Sequence, residues 1–218
     1  MTARSVVEVS PAPALKEIFN ADRLRHVAEE TRGVFPAFDT KHFIALCSDG
    51  LDDLSLMARL RRVTEALHVT LPGDYRTALD ILRHLAPRLN SGFVTMVLPD
   101  YVALYGQEDF DTSMAALAFF TPFGSSEFAV RHFLRRDLPR SLAVMERWAL
   151  DANEHVRRLA SESSRPRLPW SFKLDAVIAD PSLTQRIIDT LKADPSRYVR
   201  NAAKLPSGHT GQGTPAAH

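Results

Sequence analysis

Two stretches of the chain decide its fold: Trp148–Ala160, WALDANEHVRRLA, and Leu191–Ala203, LKADPSRYVRNAA. They align without a gap, Asp151 on Asp194, Val156 on Val199, Arg157 on Arg200 and Ala160 on Ala203, each pair 43 residues apart. A third Val-Arg pair, Val130–Arg131, stands at shorter spacing. The difference is about the length of the insertion-like run SESSRPRLPWSFKLDAV at 161–177. Asp180–Pro181 and Asp194–Pro195 each set a capping carboxylate before a proline, whose missing N–H costs nothing at a first helical position. Leu183, Ile187 and Leu191 follow at i, i+4 and i+8 and are expected to line one face. Ala160 and Ala203 are small, so neighbouring helices can approach closely.

A period of 43 lies in the roughly 40–47-residue range of HEAT-type and armadillo helix pairs. Such units bury their apolar faces only by stacking. Upstream, Leu24, Val27 and Ala28 form a helical stripe. So do Leu51, Leu54, Met57, Ala58, Leu60 and Arg61, continued by Val63 and Leu67. LPGDY at 71–75 reads as a turn, and Ala78, Leu79, Leu82 and Leu85 resume the helical spacing. The run VTMVLPDYVAL at 94–104 is ambiguous, and its helical neighbours favour a helix. The expected architecture is all-α: an α-solenoid of HEAT-like repeats over 14–205, with a flexible N-terminus at 1–13 and a disordered polar tail at 206–218.

The chain has 218 residues, 45% of them hydrophobic, enough for one domain with a real core. The lone cysteine, Cys47 in FIALC, excludes an internal disulfide and is expected to be a buried filler in a reducing compartment. No apolar run approaches the ~18 residues of a bilayer span, and proline interrupts the N-terminal apolar residues, so cytoplasm is the expectation. Charge is uneven: residues 1–126 carry 12 Lys/Arg against 16 Asp/Glu, residues 127–204 carry 15 against 10. A basic second half hints at a polyanionic partner. No metal-ligand spacing, Walker loop, dinucleotide fingerprint or nucleophile elbow occurs, so neither a metal nor a cofactor is expected.

One segment stands apart. RRLASESSRPRLPW at 157–170 gathers Arg157, Arg158, Arg165 and Arg167 around Glu162 and ends on Trp170. Taken alone, it is more simply a surface ion pair of Arg165 with Glu162 and a core tryptophan.

The runs SSEFAVRHF (125–133), VRRLASESSRPRLPW (156–170) and DPSRYVR (194–200) resemble the signature of the AlkC-type DNA alkylation-repair proteins, relatives of the AlkD fold. PAFDTKHF (36–43), GLDDLSLMARLRRV (50–63) and LPGDYRTALDIL (71–82) are similar to that family as well, so the resemblance runs from about Lys16 to Arg200. It implies a DNA glycosylase that removes cationic N3-alkylated bases, such as 3-methyladenine and 3-methylcytosine, from DNA. The absence of lysine from 127–172 argues against a Schiff-base lyase step, so the expectation is a monofunctional enzyme acting on double-stranded DNA as a monomer. The resemblance also implies Glu127, Glu162 and Trp170 as catalytic residues. The two carboxylates would stabilise charge and position water, and the indole would contact base or sugar. Arg157, Arg158, Arg165, Arg167 and Arg200 are the expected DNA-binding side chains, with Arg165 anchoring the lesion strand. The family pattern continues to an Asp that would fall at position 209, where this sequence has His209. That departure opens a second reading, a truncated or impaired member that binds damaged DNA without efficient excision. A third is a HEAT-type protein-binding scaffold.

Overall fold

A computed structural model describes residues 15–169 and 171–204, and the chain outside them, with Trp170 and the expected flexible N-terminus and tail, lies outside the described residues. Twelve α-helices and no strand occur among the described residues. They are α1 (Ala21–Val34), α2 (Thr40–Ser48), α3 (Leu56–Thr70), α4 (Tyr75–Leu85), α5 (Val97–Tyr105), α6 (Phe110–Phe120), α7 (Glu127–Arg136), α8 (Leu138–Trp148), α9 (Glu154–Ser163), α10 (Asp175–Ala179), α11 (Gln185–Leu191) and α12 (Arg197–Ala203).

The helices form two layers. In one row α3 packs on α5, α5 on α7, α7 on α9 and α9 on α12. In the other, α6, α8 and α11 each wedge against the first-row helices before and after them. This is the stacked helical-repeat arrangement that the 43-residue period predicts. Val156 and Val199 are buried at matching points of α9 and α12. Each such burial contributes roughly 1.5–3 kcal/mol. Ala160 and Ala203 are buried beside them, small enough for the close contact of α9 with α12.

The ambiguous run is a short 3-10 turn, Val94–Met96, leading into α5. Pro99 sits in the first turn of α5, where backbone N–H groups have no intrahelical acceptor. Every residue from Val97 to Ala103 is buried, so the segment lacks a polar face and shows little periodicity.

Two local expectations need correction. Asp194–Pro195 does not open α12: Ser196 is the N-cap, and Asp194 instead accepts from the Ser196 N–H at 2.8 Å, a turn ahead of the helix. Leu183 lies off the buried face at 38% exposure, while Ile187 and Leu191 are buried. The reason is a change of helix type: Pro181–Thr184 is 3-10, which shifts Leu183 out of the α-helical stripe. Cys47 is buried as expected, and burial raises its thiol to about 12, far from a nucleophile's range.

Candidate active site

Gly124 brings the two walls of the site together. A Cβ there would lie 2.6 Å from the Gly92 carbonyl oxygen, so only glycine lets the 121–126 turn pack on the 91–96 segment. Glu127 is the first residue of α7, where the helix dipole favours a negative charge. It opens onto a cleft of about 240 Å³ lined by Met57, Phe93, Met96, Phe128, Leu168 and Pro169, with Glu162 as the second acid. A second hollow of about 420 Å³ shares Phe93, Met96 and Glu127 and extends to His155, Arg158 and Tyr198.

The two carboxylates sit in unlike surroundings. Glu162, in the last turn of α9, lies 3.2 Å from Arg165 Nη1 and 3.7 Å from Arg158 Nη2. Two cations offset both its burial and its unfavourable place at a helix C-terminus. Among the described residues the one ion pair of Glu127 is the long contact of 3.9 Å from Oε2 to Arg158 Nη1. Its buried Oε2 finds no hydrogen-bond donor among the described residues, and the buried hydroxyls of the neighbouring Ser125 and Ser126 find no partner there. Burial raises the Glu127 carboxyl above the usual range, against the opposing pull of Arg158. The Glu162–Arg165 pair is thus real but faces the cleft rather than open surface.

The arginines expected to bind DNA divide into distinct groups. Arg157 grips Asp194 of the next repeat through Nε (2.7 Å) and Nη2 (3.1 Å), and its Nη1 donates to the Asp151 and Ala152 carbonyls. Four of its five N–H groups are therefore committed inside the stack. Arg200 repeats half of this, donating to the Asp194 and Pro195 carbonyls. The alignment of Arg157 with Arg200 is real, but the task it assigns to Arg157 is to join repeats. Arg165 donates Nε and Nη2 to the Ala202 carbonyl at the end of α12 and keeps its Nη1 on Glu162 in the cleft. Arg158 lies over the Tyr198 ring at 5.0 Å, beside the cleft. Arg167 is exposed.

Sequence reasoning missed Arg131. It is fully buried and donates to the carbonyls of Ser163, Arg165, Pro166 and Phe172. Burial pulls it down to about 10, aided by Arg135. These bonds pin the loop that delivers Arg165, Leu168 and Pro169 to the cleft. The Val130–Arg131 pair was the available signal, but it marks a repeat position and says nothing of the acceptors. Among the described residues no cluster of three metal-ligating side chains occurs, and no helix is long and apolar enough to cross a membrane.

No family model matches the chain. It is 42% identical over 189 residues to YhaZ, an uncharacterised protein of Bacillus subtilis (strain 168), covering 86% of this chain and 53% of YhaZ. In structure it is similar to the Pseudomonas fluorescens alkylpurine DNA glycosylase AlkC bound to DNA containing an abasic site analogue. The identity is 60% and the TM-score 0.87, over 88% of this chain and 54% of that one. The chain spans about half the length of both relatives.

Proposed function

The chain is related in sequence and fold to the AlkC-type DNA glycosylases, and on that premise we propose that it binds DNA carrying cationic N3-alkylated bases, such as 3-methyladenine and 3-methylcytosine, and hydrolyses their N-glycosidic bond. The observation that carries this reading is the unequal acid pair in one apolar cleft: Glu162 held by two guanidinium groups, Glu127 with a buried Oε2 that has no hydrogen-bond partner among the described residues. Acids whose environments differ are suited to different tasks.

In the reaction proposed, the bond from C1′ to the base nitrogen breaks and its electron pair leaves with the base, which becomes neutral. Positive charge builds on the sugar, and Glu162 and Glu127 stabilise it. Water adds at C1′, and its proton passes to Glu127, whose open lone pair and burial-raised basicity suit a general base. No lysine lies between 127 and 172 for a Schiff base, which supports a monofunctional hydrolase. Both acids come from one chain, so a monomer suffices. Arg158, Arg165, Arg167 and Arg200 are the proposed DNA-facing cations, and Trp170 the contact to base or sugar.

The test is release of methylated base from alkylated duplex DNA by excess protein. Release is expected, and Glu162→Gln should remove most of it while binding persists. Salt-sensitive binding with no release by the intact chain would overturn excision and leave the second reading, which His209 in place of the family's Asp favours. No duplex binding at all would leave a protein-binding scaffold.

A further inference from the structure

One helical turn from the cleft, about 5.4 Å along the axes of α3, α5 and α7, lies a second charged cluster. On α7, Phe128, His132 and Arg135 share a face at i, i+4 and i+7, and Phe128 lines the cleft. Arg61 stands four residues after cleft-lining Met57, and Asp100 four after Met96. The charged groups facing His132 are Arg135 on its own helix, Asp100 on α5 and Arg61 on α3.

Each member has spare capacity or a fixed place. Arg61 spends Nε and Nη2 on buried Asp100, at 3.0 and 2.9 Å, yet its side chain stays 40% exposed. Arg135 is exposed, makes no ion pair among the described residues, and lies 3.2 Å over the Phe172 ring centroid. Arg131 holds the Phe172 carbonyl from beneath, and His132 meets the Phe172 ring edge-on at 5.3 Å. A guanidinium stacked on an anchored ring keeps its N–H edge free and loses little entropy on meeting a phosphate. With Asp100 cancelling Arg61, the cluster carries one net positive charge beside a half-buried imidazole. Burial and Arg135 hold that imidazole below its ordinary value, so it is poised to gain a proton when an anion arrives.

We propose that Arg135, His132 and the exposed edge of Arg61 form a phosphate-binding site for a DNA strand, separate from the carboxylate cleft and one to two nucleotide steps along the backbone from it. The site rests on the DNA reading above and locates where a strand leaves the cleft. The phosphate contact would set register rather than sequence preference.

The experiment measures the affinity of the full chain for an undamaged duplex as a function of salt, for wild type, Arg135→Gln and His132→Gln. Arg135→Gln should lower the slope of log affinity against log salt by about one unit. The His132 ring, followed by NMR, should titrate at higher pH when the duplex is bound, and Arg135→Gln should shrink that rise. A slope unchanged in Arg135→Gln, or a His132 titration unmoved by bound duplex, would overturn the site while leaving DNA binding intact. A wild-type chain that does not bind duplex defeats both readings.

Discussion

The junction between α9 and α12 and the cleft between α7 and α9 use the same residue types to opposite ends. At the junction the Arg157–Asp194 pair is bidentate at 2.7 and 3.1 Å, and Asp194 also accepts from the Ser196 N–H. In the cleft the ion pairs stretch from 3.2 to 3.9 Å, and the buried Glu127 Oε2, Ser125 Oγ and Ser126 Oγ have no hydrogen-bond partner among the described residues. Buried polar groups are nearly always paired, so a knot of unpaired ones marks a place held ready for something else. At the junction the charges are fully engaged with one another, while in the cleft a run of adjacent polar groups, Ser125 to Glu127, is left without protein partners among the described residues.

Three substitutions can break or sharpen that contrast. The largest effect is expected from Glu127→Gln, which should slow base release by roughly 10²–10³, or about 2.7–4 kcal/mol in the barrier. Its stability should move the other way. A carboxyl raised by burial favours the protonated form in the folded state, so its ionised form costs stability once pH exceeds its folded value. Glu127→Gln should therefore melt no lower than wild type at neutral pH. A clear drop in melting temperature would return Glu127 to a structural role.

Arg157→Met comes next, because it strands the buried Asp194 carboxylate. Chemical denaturation should show a loss of about 3 kcal/mol. The acid limb checks the cause. Hydrogen bonds from Arg157 hold Asp194 below the ordinary carboxylate range, so its contribution is present above the unfolded value near 3.8 and is lost as pH falls through the folded one. Wild type should accordingly lose more stability on acidification than Asp194→Asn. Equal acid limbs would show that the pair contributes little. The smallest effect belongs to Ser126→Ala: a hydroxyl with no partner should cost less than about 0.5 kcal/mol in stability. A loss beyond 1 kcal/mol would expose a hidden hydrogen bond.

The sequence by itself determined the helical class, the 43-residue period, the equivalence of Val156 with Val199 and of Arg157 with Arg200, and the close approach allowed by Ala160 and Ala203. All follow from spacing along one chain and from side-chain size, and Glu127 and Glu162 came from the resemblance of their motifs. Only the tertiary structure decided where each guanidinium goes. Arg157 and Arg131 follow the same Val-Arg pattern, yet one reaches a carboxylate 37 residues on and the other the carbonyls of a loop 32 to 41 residues on. Periodicity tells which face a side chain occupies, but stacking chooses the neighbour that meets it there. The same limit hid the buried Asp100, whose cost is offset by Arg61 from 39 residues upstream. A charge's partner is set by the three-dimensional stack, and that partner separates a strut from a site.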